Sequence, residues 1–217
     1  MPFSHFYFIS HFESIRITNS LISSHSALPV ALFGGTFDPI HKGHLHLASE
    51  VISKNIAKKV LFLPAGDPWQ KSTSITASAL QRAQMVASAI KPFKDFEIST
   101  REIERSGPTF TIDTVREFTR ELPAEEFVLL LGSDAFNGIS TWKEGGELLK
   151  QIDIVVAIRP GVELAKIPGA QVQVIESEMF AISSTEIRQA ARTGGDLSLF
   201  VPSEIVDEVQ RIYGAQA

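Results

Sequence analysis

Short apolar runs alternate along this chain with longer stretches whose apolar residues recur at helical spacing. Residues 28–33 (LPVALF) form an uninterrupted apolar run of the length a buried parallel strand requires. Two glycines follow, and from Gly43 onward Leu45, Leu47, Ala48, Val51 and Ile52 set a loose helical period. Residues 59–64 (KVLFLP) repeat the strand pattern, and a helix is predicted over 76–90, with Leu80, Ala83, Met85, Val86, Ala87 and Ile90 as its apolar side. A short strand is expected at 96–99, a helix at 111–121, and buried strands at 127–131 and 152–158, the first closed by Gly132 and the second by Arg159, Pro160 and Gly161. Residues 172–175 read as an edge strand, and two helices close the pattern, one after Ser183 and one after Pro202, where proline near a helix start is tolerated.

Strands that alternate with helices imply right-handed crossovers, and therefore a parallel sheet with helices on both faces. The expected architecture is a single doubly wound α/β domain over residues 29–217. Ligands of such sheets bind beyond the carboxyl ends of the strands. The unusual residues fall there: His41 and His44 after the first strand, Lys71 after the second, Ser133 and Asp134 after the fourth, and Arg159 after the fifth.

Composition narrows the partners. The net charge of -5 is spread along the chain, with no lysine and arginine stripe to neutralise a run of phosphates, so a polymeric nucleic acid is not an expected partner. Without cysteine there is no disulfide, thiolate metal site or cysteine nucleophile, and the cytoplasm is the expected location. No apolar run reaches the roughly 20 residues that would span a bilayer, so no membrane partner is expected. Residues 1–28 differ from the rest, with seven serines, four phenylalanines, and only Glu13 and Arg16 charged. They lack the basic start and continuous apolar core of a signal peptide, and read as a poorly ordered extension or a start assigned too far upstream.

The richest stretch for chemistry is GGTFDPIHKGH, residues 34–44. It is neither a Walker A loop nor a GxGxxG fingerprint. Glycines let the backbone turn tightly after the strand, and two imidazoles beside the amides and positive end of a helix suit a phosphate. A metal pair is the alternative, but it would want a third ligand, and His46, which points elsewhere on the helix, is the only further histidine outside the extension. A second stretch, FAISSTEIRQAAR (180–192), offers capping hydroxyls, a first-turn Glu186, and Arg188 one turn inside, within reach of an anion at that helix end. The charged residues of REIERSGPTF (101–110) read as a solvated, Gly-Pro-punctuated loop, and Glu144, Glu147 and Lys150 as a solvated helix face.

Together, GGTFDPIHKGH and ISSTEIR resemble the HxGH nucleotidyltransferases. PAGDPWQK, which keeps Lys71 but places Trp69 and Gln70 where many members have Pro-Pro-His-Lys, with IERSGPTFTIDTV and GSDAFNGISTW, is similar to the nicotinate-nucleotide adenylyltransferase branch. The likeness covers about residues 28–213. It implies a Rossmann-like fold and transfer of AMP from ATP to nicotinate mononucleotide, giving nicotinate adenine dinucleotide and pyrophosphate, with Mg2+ accompanying ATP and no metal held by the protein.

The resemblance also implies roles. His41, His44, Lys71 and Arg188 would act on the phosphates, with Gly34, Gly35, Thr36, Phe37, Ile182, Ser183 and Ser184 along ATP. Asp38, Thr109, Gly132, Asp134 and Trp142 would contact the acceptor. An indole face attracts a pyridinium by roughly 0.5 to 2 kcal/mol, and Lys143 stands where relatives often have another aromatic. Two other readings stay open: a different enzyme of the same fold, such as a phosphopantetheine adenylyltransferase, and a non-catalytic nucleotide sensor.

Overall fold

The computed structural model describes residues 16–17, 27–68, 75–158, 162–176 and 182–215. In chain order these form β1 (Arg16–Ile17), β2 (Val30–Gly35), α1 (Lys42–Ser53), β3 (Lys59–Pro64), β4 (Asp67–Pro68), α2 (Ala79–Ile90), β5 (Phe96–Ile98), α3 (Arg101–Glu104), β6 (Pro108–Thr109), α4 (Thr111–Glu121) and β7 (Phe127–Gly132). There follow α5 (Ser133–Asn137), α6 (Gly145–Gln151), β8 (Asp153–Ile158), β9 (Gln171–Glu176), α7 (Ser184–Thr193) and α8 (Val206–Tyr213), with single turns of 3-10 helix at Ile139–Thr141, Leu197–Leu199 and Ser203–Ile205.

The main sheet is parallel throughout, in the order β1-β9-β8-β7-β2-β3-β5. After β1, which lies at one edge, the chain enters the middle of the sheet at β2, winds outward through β3 and β5, then returns beside β2 as β7 and winds the other way through β8 and β9. This is the Rossmann-like, doubly wound order, and its switch point lies between β2 and β7. Successive residues of β2 serve opposite faces. Ala31 and Phe33 join a core with α1, α2, α7 and α8, whereas Leu32 joins a second core with α4, α5 and α6. Each Leu or Phe fully buried in these layers contributes about 1.5 to 3 kcal/mol.

β2 and β7 are paired only at Val30–Phe127, Ala31–Val128 and Leu32–Leu129. Beyond that register β2 continues beside β3 alone, to Gly35–Pro64, and β7 continues beside β8 alone, to Gly132–Ala157. The two strands therefore part over their last residues, and the sheet is open at its carboxyl edge where a doubly wound fold takes its ligand.

Several expectations need correction. α2 begins at Ala79 rather than Thr76, because Ser78 caps it by accepting from the Gln81 amide while Gln81 accepts from the Ser78 amide. β9 is not the edge strand there: Arg16 and Ile17, in the extension expected to be poorly ordered, pair parallel with Gln171 and Val172, using backbone groups an edge strand leaves open. The 101–110 stretch is not a solvated loop. It holds α3 and β6, and its Glu102 is only 5% exposed. The face with Glu144, Glu147 and Lys150 is a surface one, paired as Arg116–Glu144 and Lys150–Glu147. No helix among the described residues is long and apolar enough to cross a membrane.

Candidate active site

The glycines after β2 have different tasks. A Cβ on Gly35 would stand 2.9 Å from the Phe37 ring, so that position has room only for hydrogen. A Cβ on Gly34 would meet nothing within 4 Å, which leaves the backbone there open to close approach. Phe37 takes the left-handed conformation (φ 49°) and turns its ring inward, edge-on to Phe33 at 5.6 Å and to His44 at 5.0 Å. His41 caps α1 and is buried, and its ring stacks on His44 at 3.7 Å. The His41 amide donates to Nδ1 of His44 at 3.3 Å, so the neutral His44 ring carries its proton on Nε2. No acidic residue stands in the first turn of α1 to offset its positive end.

Behind this turn lies a buried polar network centred on Asp38. Its carboxylate accepts from the Thr76 amide at 2.9 Å, the Ala77 amide at 3.0 Å and the Tyr213 hydroxyl at 2.7 Å. Arg188 Nη1 donates to the Asp38 carbonyl at 2.7 Å and lies 3.7 Å from Oδ2. The expected acceptor contact of Asp38 does not fit this geometry, because its oxygens are turned inward and already engaged. Burial and the hydrogen bond to Asp38 together push the Tyr213 phenol far above its ordinary range. Ser184 Oγ donates to the Pro39 carbonyl at 3.0 Å, and Ser183 caps α7 in a reciprocal pair with Glu186. Ile182 packs against the adjoining core. The structure thus brings the two separated motifs into direct contact.

Arg82, unassigned at the sequence level, completes the network. It is 1% exposed, and its guanidinium donates to the carbonyls of Thr36 at 2.5 Å, Ala65 at 2.6 Å and Gly66 at 3.2 Å. It thereby clamps the loop after β2 to the loop after β3. Burial pushes its pKa down, and the neighbouring Asp38 and Tyr213 pull it up. A signal was available in the sequence: Arg82 shares the buried stripe of α2 with Met85, Val86 and Ala89, an unsuitable place for a charge without partners.

The parting of β2 and β7 opens into a cleft of about 230 Å³. Leu32, Leu63, Leu129 and Leu131 belong to its apolar lining, Gly34, Gly35 and Thr36 border it from the turn after β2, and Thr109, Phe110, Trp142 and Lys143 line it as well. Thr109 is buried and accepts from the Asp67 amide at 3.2 Å through its hydroxyl. Lys143 pairs with Asp113 at 2.9 Å and sits 4.7 Å above the Phe110 ring, so the aromatic side of the cleft is shared between Phe110 and Trp142. Gly132 and Asp134 are exposed at the end of β7 and in α5, and the lining from that stretch is Ala135 instead. Lys71, with Trp69 and Gln70, and Arg159 lie outside the described residues.

Glu102 also lines the cleft. Its Oε1 accepts from Thr114 Oγ1 at 2.7 Å, and burial pushes its carboxyl up to about 7. A Cβ on Gly66 would lie 2.1 Å from the Glu102 carbonyl oxygen, so α3 is pressed directly against the loop that follows β3.

The cytidylyltransferase-like family model matches residues 32–190. A protein of Nocardioides named probable nicotinate-nucleotide adenylyltransferase is 42% identical over 178 residues, covering 80% of this chain and 87% of its own. One of the same name from Paenarthrobacter aurescens is 39% identical over 184 residues, covering 85% and 89%. Among solved structures, the Plasmodium falciparum nicotinic acid mononucleotide adenylyltransferase complexed with NaAD superposes with a TM-score of 0.71 at 20% identity, over 85% of this chain and 95% of that one, and supports the fold. With open-edged β2 and β7, a histidine pair at the start of α1 and relatives of this identity and coverage, the chain belongs to the cytidylyltransferase-like family and, within it, to the nicotinate-nucleotide adenylyltransferases.

Proposed function

We propose that the protein transfers the adenylyl group of ATP to the phosphate of nicotinate mononucleotide. The observation that carries this reading is one cleft bordered by two kinds of residue: Gly34, Gly35 and Thr36, from the turn that leads in sequence to His41 and His44, border an apolar pocket with Trp142 and Phe110 on its lining. A phosphate chain suits the first part and a flat cationic ring the second.

An oxygen of the acceptor phosphate attacks the α-phosphorus, the bond from that phosphorus to the α,β-bridging oxygen breaks, and pyrophosphate leaves with the electron pair. A phosphate monoester has its second pKa near 6, so the nucleophile is already dianionic at neutral pH and no general base is required. Catalysis then rests on alignment and on donors placed where charge accumulates. His44, its Nε2–H set by the His41 amide, addresses the α-phosphate. His41, Lys71 and the remaining donors of Arg188 address the rest of the chain, while Ile182, Ser183 and Ser184 flank the nucleotide. Imidazoles, amides and a guanidinium suit phosphate oxygens rather than a hard cation, so magnesium enters as the ATP complex, held by phosphate oxygens and water.

The test is pyrophosphate release from magnesium ATP with nicotinate mononucleotide, nicotinamide mononucleotide or phosphopantetheine as acceptor. Turnover with a pyridine mononucleotide is expected. Turnover with phosphopantetheine alone would replace the acceptor assignment, and no turnover with any would favour a nucleotide sensor.

A further inference from the structure

Glu102 is a buried carboxyl on the lining of the acceptor cleft, and the adenylyl-transfer chemistry leaves it without a task. Its surroundings determine where its proton sits. Arg105 donates to Thr114 Oγ1 through Nη1 at 3.3 Å and Nη2 at 3.4 Å, and a guanidinium has no lone pair to receive a proton in return. The Thr114 hydroxyl hydrogen therefore goes to Glu102 Oε1, which accepts at 2.7 Å in either protonation state. Any proton that Glu102 carries is on Oε2.

Nearby charges do not neutralise the site. Arg105, the nearest cation, is held by Glu117 of α4 at 2.6 Å, and Arg101 reaches the same Glu117 oxygen at 3.2 Å. Glu117 itself disfavours the ionised form of Glu102. On the other lining, Lys143 is paired with Asp113, and Asp67, beside Thr109, is exposed. Burial is the largest influence, and it holds the carboxyl at about 7, where both forms are populated in neutral solution.

We propose that Glu102 reads the ring substituent of the acceptor: protonated Oε2 donates to a ring carboxylate, ionised Oε2 accepts from a ring carboxamide, and preference for the acid falls as pH rises. This rests on the pyridine mononucleotide reading above. Apart from that substituent the two acceptors match, so the titration of their shared phosphate cancels in a ratio of affinities.

The experiment is calorimetric titration of the full chain with nicotinate and with nicotinamide mononucleotide at pH 6, 7 and 8, for wild type and Glu102→Gln. In wild type the ratio of acid to amide affinity falls about 100-fold from pH 6 to pH 8, because across a midpoint of about 7 the protonated fraction that binds the acid falls about tenfold while the ionised fraction that binds the amide rises about tenfold. Glutamine keeps an acceptor for Thr114 and a permanent donor in place of Oε2, so its ratio stays flat at or above the wild-type value at pH 6. If that variant does not fold, Thr114→Val replaces it: Arg105 then turns to the carboxylate, and the ratio at pH 6 drops toward that at pH 8. A wild-type ratio independent of pH, or parallel profiles in wild type and variant, overturns the proposal and leaves the functional reading standing. Absence of binding by either mononucleotide overturns both.

Discussion

The two sides of the cleft are held by different means. The phosphate side is fixed from behind by buried charge: Asp38, Arg82, Arg188 and Tyr213 tie the loop after β2 to α2, α7, α8 and the 75–77 segment. The acceptor side is held by ion pairs near the surface, Arg101 with Glu117 and Glu121, Arg105 with Glu117, Arg116 with Glu144, and Lys143 with Asp113. Solvent screens pairs near the surface and leaves each with little net effect, whereas removal of one partner from a buried charged network costs about 3 to 5 kcal/mol. On the proposed reading, the side that meets the phosphate chain is the one tied down by buried charge, and the side that meets the acceptor relies more on pairs near the surface.

That contrast predicts a ranking. Arg82→Met, which leaves three carbonyls without their donor and Asp38 with Arg188 alone of the two guanidiniums beside it, lowers stability by about 3 to 5 kcal/mol, read as a lower thermal midpoint. His44→Ala keeps the fold and lowers kcat by about 100- to 1,000-fold, the usual cost of one positioned transition-state donor; a well-folded variant with normal turnover would contradict its role.

Glu102 gives a pH-dependent effect. Its folded-state pKa is raised from an ordinary 4.5 to about 7, so between those values the unfolded chain releases a proton that the folded one keeps, and stability falls as pH rises. Wild type therefore loses stability relative to Glu102→Gln by about 1 kcal/mol per pH unit across that window, read by denaturant titration. Trp142→Ala weakens mononucleotide binding by about 0.5 to 2 kcal/mol and leaves the ATP KM in place; equal effects on both would merge the two sides. Tyr213→Phe removes one buried hydrogen bond to Asp38 and costs about 1 kcal/mol, read as a slightly lower thermal midpoint.

The frame of this fold was legible because parallel strands buried on both faces write themselves as unbroken apolar runs; β3 and α4 lie where the pattern put them. The histidine motif was legible because glycine and imidazole at a strand end have few other uses. What escaped was polar burial. Glu102 and Arg105 look like solvent-facing charges in sequence, and only the approach of α3 to Gly66, with α4 behind, removes Glu102 from water. Asp38 sits inside the most recognisable motif of the chain, yet its partners come from residues 76, 77 and 213, and no local pattern reports them. Phe110 reads as a loop residue until β6 carries it beside the cleft.

The Tyr213–Asp38 hydrogen bond joins residues 175 positions apart. A ribosome releases the histidine motif early, with β2 and α1, but the carboxylate at its centre gains its hydroxyl partner only when the last helix has been made and has docked. The first chemical signature to emerge is thus among the last parts to gain its full set of hydrogen bonds.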